Sequence, residues 1–202
     1  MKAILDRLYN LHWVAEGVAR SAQPYLGFYA TFLKGHDFRS LLNLRGRNPR
    51  FAWWHREKRI CQELGIAHFD VKMSSRKLPP REVVAALFEA FDAAPKPMLM
   101  KCSGGQDRTS LAAALYLLHK KGPGALAEAQ AQFSAWPYLH LPMGRQNWLK
   151  QFPVFAIEDA RGAPLKEWAR TRYEPENFAR WLASRGLAQC HSGIQRIKRK
   201  TP

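Results

Sequence analysis

Three short apolar segments alternate with segments of helical periodicity, and this alternation limits the fold more than any other feature of the sequence. Residues 40–45 (SLLNLR), 66–73 (IAHFDVKM) and 98–102 (MLMKC) have the length and composition of strands. The intervening residues 51–64 and 81–93 place apolar side chains on one helical face. Strands that alternate with helices favour a mostly parallel sheet. We therefore expect an α/β fold with helices flanking a central sheet.

The sequence outside this pattern predicts a hairpin and further helices. Glu16 and Gly17 separate two short β-prone runs, which is typical of a hairpin. A short helix is predicted over 28–34 and a longer one over 109–121, which ends at the Gly-Pro-Gly of residues 122–124. The pattern beyond residue 124 is helical, with segments at 125–134, 144–151, 165–171 and 175–185.

The length of 202 residues suits one domain, with a smaller C-terminal addition. We expect an α/β core in residues 1–140 and a helical extension, packed on that core, in residues 141–190. Residues 191–202 contain Arg196, Lys198, Arg199 and Lys200 and are expected to form a basic tail. No internal repeat is present in the sequence.

Composition excludes several classes of protein. A hydrophobic content of 47% with 12% aromatic residues excludes a disordered chain, and three cysteines exclude a disulfide scaffold. There is neither a C-x-x-C pair nor a metal-type histidine motif, so we expect no metal and no cofactor. The N-terminus does not resemble a signal peptide, and the longest apolar run, residues 111–118, is too short for a transmembrane segment. We expect a cytoplasmic protein.

The charge of the chain indicates an anionic partner. Thirty-two Lys and Arg residues against 16 Asp and Glu residues give a net charge of +16. Nucleic acid, anionic lipid and phosphate esters would all complement this charge.

Residues 100–110 (MKCSGGQDRTS) carry the most specific pattern. Cys102 lies at the end of a predicted strand, and Arg108 follows after five residues, at the start of a predicted helix. The N–H groups of a short Gly-containing loop can converge on a tetrahedral anion, and the helix N-terminus adds positive potential. Arg108 can hold two phosphate oxygens, and these positive groups favour a thiolate at Cys102. The expected phosphate-binding residues are Ser103, Gly104, Gly105, Gln106, Asp107 and Arg108.

A Cys-x5-Arg motif followed by Thr resembles the signature of the cysteine-dependent protein tyrosine and dual-specificity phosphatases. Residues 18–24 (VARSAQP), 40–45 and 65–69 (GIAHF) are similar to further blocks of the compact bacterial dual-specificity-like members. The resemblance covers about residues 12–135 and does not extend over residues 140–202. The ending Asp-Arg-Thr resembles the subset that includes phosphoinositide and other lipid phosphatases.

This resemblance implies hydrolysis of phosphomonoesters through a phosphocysteine intermediate. Cys102 would attack phosphorus, Arg108 and the loop N–H groups would bind the equatorial oxygens, and Thr109 would hydrogen-bond the thiolate as it leaves. Three alternatives remain at this point. Cys102 could be a buried structural cysteine, the fold could bind phosphate without catalysis, or the loop could serve sulfur transfer of the rhodanese type.

The sequence departs from the family pattern at two positions. Lys101 stands where the family usually has His before the nucleophile. The second departure concerns the general acid, for which the sequence offers two carboxylates. Asp70 lies at the family's usual distance before Cys102 but inside a predicted strand, whereas Asp107 lies in the loop beside Arg108. Either carboxylate could instead be structural, as a helix-start acceptor or a paired strand residue.

Basic residues concentrate on segments that should surround the loop, because the carboxyl ends of parallel strands share one edge of the sheet. The expected substrate rim comprises Arg45, Lys72, Arg76, Lys77 and Lys101. The expected partner is a phosphate ester, with polyanionic and membrane-associated esters among the candidates. As the substrate, a phosphorylated lipid, sugar or inositol-type molecule and a phosphoprotein are equally favoured. The alternative is a catalytically weak phosphatase-fold protein that binds nucleic acid or an anionic surface.

Overall fold

The three predicted strands lie next to one another on one side of a sheet in the computed structural model, which describes residues 2–24 and 27–197. Within these residues the sheet has five strands in the order β1-β2-β5-β3-β4. Strands β2, β5, β3 and β4 are mutually parallel, and β1 pairs antiparallel with β2 in the predicted hairpin. The strands are β1 (His12–Ala15), β2 (Val18–Ser21), β3 (Ser40–Asn43), β4 (Ala67–Asp70) and β5 (Met98–Lys101).

Helices cover both faces of the sheet, which confirms the predicted α/β class. Leu41 and Leu99 point to one face and pack with the first three helices, whereas Leu42, Met98 and Met100 point to the other face and pack with the later helices. This alternation follows from the two-residue period of a strand. The helices are α1 (Lys2–Leu8), α2 (Tyr29–Lys34), α3 (Ala52–Glu63), α4 (Arg81–Ala93), α5 (Asp107–Lys121), α6 (Leu126–Ala131), α7 (Trp148–Ala160), α8 (Leu165–Thr171) and α9 (Pro175–Ser184).

Helix α5 lies at the centre of the larger hydrophobic cluster and is buried on nearly all sides. Every residue from Thr109 to Leu118 is buried, so its sequence shows little amphipathic periodicity. The helix begins at Asp107, two residues before the predicted start, and Asp107 and Arg108 therefore lie in its first turn. Because β5 ends at Lys101, the loop of residues 102–106 connects the central strand to the central helix.

Several predicted boundaries were wrong. The strand predicted over 66–73 is limited to β4, since β4 is the edge strand and its last residue is exposed. The helix predicted over 144–151 is a 3₁₀ turn, Gly144–Gln146, followed by the longer α7. Helix α7 continues through Pro153, although this proline lacks the N–H that would donate to the Leu149 carbonyl. Burial of the neighbouring Phe152 and Phe155 offsets that loss.

The C-terminal helices pack on the loop that follows β4 through aromatic side chains. The ring of Phe152 contacts the rings of Trp148, Tyr173 and Phe178. The Trp148 indole donates to the Ser75 carbonyl at 3.1 Å, and the Tyr173 hydroxyl donates to the Pro79 carbonyl at 2.7 Å. These contacts support the expected packing of residues 141–190 on the α/β core.

The expected basic tail lies partly outside the described residues, which end at 197. Lys198, Arg199 and Lys200 belong to the part that is not described. Residues before them are paired with the loop after β4, since Gln195 N–H donates to the Leu78 carbonyl at 2.8 Å. Among the described residues, no helix is both long enough and apolar enough to cross a membrane.

We predict that Phe152→Ala lowers the free energy of unfolding by ~3–5 kcal/mol, because it leaves a cavity among the aromatic rings that join the C-terminal helices to α5. Denaturant unfolding followed by fluorescence and by circular dichroism should give one coincident transition. Phe51→Ala, at a side chain that is 56% exposed, is the matched control and should change stability little. Two separate transitions would show that the C-terminal helices fold independently.

Candidate active site

The loop of residues 102–106 brings the predicted nucleophile and the predicted phosphate ligand together. Cys102 is 2% exposed, and its Sγ lies 4.0 Å from the Thr109 hydroxyl. The guanidinium of Arg108 folds back over the loop and donates from Nη2 to the Ser103 hydroxyl at 3.0 Å. Its Nε is buried and has no hydrogen-bond partner among the described residues. Such a guanidinium retains donor capacity for an oxyanion in the loop.

Arg20, on β2, holds the back of this loop. The side chain is fully buried, and Nη2 donates to the carbonyls of Gly105 and Gln106, at 3.0 and 3.2 Å, and to the Ser110 hydroxyl at 2.7 Å. Burial lowers the pKa of Arg20 to about 10, so the side chain stays charged at neutral pH. Arg20 lies in residues 18–24, which resemble a family block, but no role was predicted for it from the sequence. The position of an arginine inside a short apolar strand was the one sequence signal that could have indicated a buried role for Arg20.

The hydrogen bonds to Arg20 also orient the N–H groups of the loop. In a trans peptide the N–H points opposite to the preceding carbonyl. Because the carbonyls of Gly105 and Gln106 face Arg20, the N–H groups of the next residues face away from it. Within residues 2–24 and 27–197, the N–H groups of residues 103–106 donate no hydrogen bond. Unpaired N–H groups beside a helix N-terminus form a binding site for an anion.

The two glycines of the loop are not equivalent. Gly105 has φ +66°, and a Cβ there would lie 2.5 Å from the Ala22 nitrogen, so the close approach of β2 requires glycine. A Cβ at Gly104 would meet only the flexible side chain of Gln106, at 3.5 Å or more. Gly105 is therefore structurally required, and Gly104 tolerates a side chain on steric grounds.

Lys101 does not lie on the substrate rim, and this prediction was wrong. Its side chain is fully buried, because β5 is the central strand and Lys101 points to the face covered by α3. Nζ lies 2.5 Å from the carboxylate of Glu57 and 2.5 Å from Oε1 of Gln23. Burial lowers the pKa of Lys101 to about 8, and the Glu57 carboxylate opposes this shift. Lys101 thus acts as a buried cation beneath the loop.

Glu57, which sequence analysis missed, is the centre of this buried network. Its carboxylate is fully buried and accepts hydrogen bonds from Tyr29, Gln23 and His68, each at 2.9 Å. Burial alone would raise the pKa of Glu57, but the hydrogen bonds from His68 and Lys101 lower it to about 2. Gln23 connects the network to the loop, because its N–H donates to the Ser103 carbonyl at 3.0 Å. A glutamate within an otherwise amphipathic helix gave no local signal of this role.

The two candidate acids occupy different surroundings. Asp70, at the end of β4, accepts hydrogen bonds from Asn43 Nδ2 at 2.6 Å and from Trp54 Nε1 at 3.0 Å. It is the last residue of the edge strand, and these donors hold it against α3 and β3. This environment fits the structural alternative for Asp70.

Asp107, in contrast, lies in the first turn of α5 beside the loop and contacts the C-terminal segment. Gln146 Nε2 donates to its Oδ2 at 2.6 Å, and Nδ1 of the buried His140 lies 3.4 Å from its Oδ1. The Asp107 side chain remains 22% exposed. Gln146 and His140 were not predicted, because nothing in the local sequence connects them to residue 107.

The other basic residues of the predicted substrate rim lie on the loops after β3 and β4. Lys72, Arg76 and Lys77 are exposed, and Lys72 pairs with Arg45 in an isolated β-bridge. The guanidinium of Arg45 stacks on the Trp53 ring at 3.6 Å. Four of the five predicted rim residues therefore lie on loops at the carboxyl edge of the sheet. Among the described residues, no group of three His, Cys, Asp or Glu side chains could hold a metal ion.

Comparisons with known proteins identify the fold. No family model matches the sequence, and no curated protein matches it. Solved structures do match: a putative phosphatase from Shewanella putrefaciens is 18% identical with a TM-score of 0.56, and covers 75% of this chain and 97% of its own. The PP-IP phosphatase Siw14 from Saccharomyces cerevisiae is 17% identical with a TM-score of 0.51, over 91% and 96% of the two chains.

A third match is PTPMT1 in complex with PI(5)P, which is 14% identical with a TM-score of 0.54. It covers 76% of this chain and 99% of its own. The chain therefore shares the fold of these solved phosphatase structures. This is an α/β fold with a mostly parallel sheet, as the sequence predicted.

We predict that Glu57→Gln lowers the free energy of unfolding by ~3–5 kcal/mol at neutral pH, because Lys101 loses its buried counter-ion. The pKa of Glu57 is lowered from 4.5 to about 2 in the folded protein. The stability that Glu57 contributes is therefore fully present above the unfolded pKa of 4.5, and it is lost as the pH falls from there towards 2. The acid-induced loss of stability should therefore be smaller in Glu57→Gln than in the wild type. Urea unfolding at a series of pH values measures both effects.

Glu63→Gln is the control for this prediction. Glu63 lies on the same helix, but its side chain is 64% exposed and forms only a long surface pair with Arg59. An equal loss of stability in both variants would contradict a special role for the buried pair.

Proposed function

We propose that the protein is a cysteine-dependent phosphomonoester hydrolase. The observation that carries this proposal is the convergence of three features on one loop. The Cys102 thiol, the unpaired N–H groups of residues 103–106 and the guanidinium of Arg108 all lie where β5 meets the N-terminus of α5. A phosphate dianion bound there would be held by charge-assisted hydrogen bonds, with its phosphorus close to the thiol.

In the first step of the proposed reaction, the Cys102 thiolate attacks phosphorus. The S–P bond forms, the bond from phosphorus to the ester oxygen breaks, and Asp107 protonates that oxygen. Arg108 and the loop N–H groups stabilise the charge on the equatorial oxygens. In the second step, water attacks phosphorus and gives its proton to Asp107, and the S–P bond breaks. The Thr109 hydroxyl, 4.0 Å from Sγ, would stabilise the released thiolate.

We assign the general acid to Asp107 rather than Asp70. Asp107 lies beside Arg108 in the first turn of α5, whereas Asp70 lies at the end of the edge strand β4, where Asn43 and Trp54 donate to it. The hydrogen bond from Gln146 fixes the Asp107 side chain, which favours a defined direction of proton transfer.

For the substrate, we propose a phosphorylated lipid or inositol-type molecule. The exposed side chains of Lys72, Arg76 and Lys77 can bind phosphate groups beyond the one that is hydrolysed. The names of two similar structures, a PP-IP phosphatase and a complex with PI(5)P, point to the same chemistry. All three cysteines are free thiols, which is consistent with action in a reducing cytoplasm.

We predict that the wild-type protein hydrolyses p-nitrophenyl phosphate and that Cys102→Ser abolishes turnover, because serine is not ionised and makes a poor nucleophile in this loop. Vanadate should inhibit the wild type. Cys190→Ser, at a buried cysteine remote in sequence from the loop, is the matched control and should stay active. Absence of Cys102-dependent turnover together with salt-sensitive binding of RNA or DNA would favour a nucleic-acid-binding protein instead.

We predict that Asp107→Asn lowers kcat by ~10²–10⁴ on an alkyl phosphate, whose leaving oxygen needs a proton. The loss should be smaller on p-nitrophenyl phosphate, because nitrophenolate leaves without protonation. Asp70→Asn is the matched control and should change kcat little on either ester. Steady-state kinetics on both esters measure the difference. A larger loss in Asp70→Asn on the alkyl ester would move the assignment to Asp70.

A further inference from the structure

An apolar surface lies beside the candidate active site and has no role in the proposed chemistry. Residues 136–143 contain four of the ten large apolar side chains that are exposed in the described part of the chain. Their exposed fractions are 82% for Trp136, 43% for Leu139, 73% for Leu141 and 71% for Met143. Apolar side chains grouped in this way mark a surface that contacts a partner.

Contacts to the loop of residues 102–106 and to the first turn of α5 hold the segment in place. At its start, the Tyr138 carbonyl accepts a hydrogen bond from Asn10 Nδ2, which also donates to the Gly105 carbonyl. Both Arg20 and Asp107 contact it as well, since the Tyr138 ring stacks on Arg20 at 4.4 Å and His140 lies beside Asp107. The apolar tip of residues 141–143 therefore stands beside the loop that holds Cys102.

Three residues beyond the segment, the chain contacts the same aspartate again. Gln146 donates to Asp107, and its Nε2 also lies 3.4 Å from the Ser75 hydroxyl. This second contact places the tip next to the loop after β4. With contacts on both sides of the tip, the exposed side chains cannot withdraw into the core without breaking these contacts.

Positive charge borders the apolar tip. The sequence contains no acidic residue between Glu128 and Glu158, and none between Asp70 and Glu82. The exposed cations on these two segments include Lys72, Arg76, Lys77, Arg145 and Lys150. An apolar tip with a basic border complements an anionic bilayer, in which acyl chains lie beneath a layer of negative headgroups. A protein partner fits less well, because lysine is depleted at protein interfaces.

We infer that residues 136–143 dock the protein onto an anionic lipid bilayer, with Leu141 and Met143 inserted among the headgroups. Docking in this orientation presents the loop of residues 102–106 to phosphate monoesters at the bilayer surface. The presentation of phosphate monoesters to the loop rests on the proposed function, whereas the docking itself does not require turnover.

The test measures binding of the full-length Cys102→Ser protein to vesicles of phosphatidylcholine, with and without phosphatidylglycerol. We expect binding to the anionic vesicles only, weakened by salt. The double variant Leu141→Ser/Met143→Ser should weaken binding about tenfold or more, because binding scales with the apolar area that enters the bilayer. Ile4→Ser, at a side chain that is 71% exposed on α1, is the matched control and should retain binding.

Three results would overturn the inference. Equal binding to neutral vesicles, or no binding to either, would remove the anionic bilayer as the partner. An unchanged affinity in the double variant, or an equal loss in Ile4→Ser, would remove the segment as the docking site. A dimer in sedimentation equilibrium that the double variant abolishes, without vesicle binding, would make the segment an interface between two copies of the chain.

A second measurement separates docking from chemistry. In the otherwise wild-type enzyme, the double variant should lower the ratio of turnover on a vesicle-embedded phosphatidylinositol monophosphate to turnover on p-nitrophenyl phosphate about tenfold. An unchanged ratio would show that docking does not deliver the substrate. Failure of the wild type to hydrolyse either ester would reject the proposed function, while the vesicle-binding result would still decide the inference about docking.

Discussion

The geometry of the site depends on the hydrogen bonds that the buried guanidinium of Arg20 donates to the loop of residues 102–106. The guanidinium holds two carbonyls of the loop, from Gly105 and Gln106, and thereby directs the following N–H groups away from β2. A charge buried in this way is tolerated because carbonyl and hydroxyl oxygens surround it. The N-terminal hairpin, which contributes no group to the proposed chemistry, therefore determines the shape of the loop of residues 102–106.

A second buried cation supports the loop from the other face of the sheet. The side chain of Lys101 forms an ion pair with Glu57 and donates to Gln23, whose backbone N–H donates to the Ser103 carbonyl. Arg20 and Lys101 lie on adjacent strands with their side chains on opposite faces, so each fixes a different part of the loop. The buried charge of Lys101 is tolerated because Glu57 supplies the compensating charge.

The C-terminal helices contribute to the site as well as to the core. The segment that leads into α7 reaches back to Asp107 through His140 and Gln146, and its apolar tip stands beside the loop. The charge of +16 consequently has a more specific meaning than a general attraction to anions. Part of it is buried as Arg20 and Lys101, and part of it surrounds the apolar tip, where it would select an anionic surface.

The sequence by itself determined the order of strands and helices, the α/β class and the loop from Cys102 to Arg108. These features are local, since apolar periodicity, glycine and the Cys-to-Arg spacing act within a few residues. Only the tertiary structure decided the burial of Lys101, the roles of Arg20 and Glu57, and the contacts to Asp107. Arg20 meets Gly105 across 85 residues and Gln146 meets Asp107 across 39, and no local pattern specifies which distant partner a side chain will face. The choice of partner follows from strand order and from packing against the central helix.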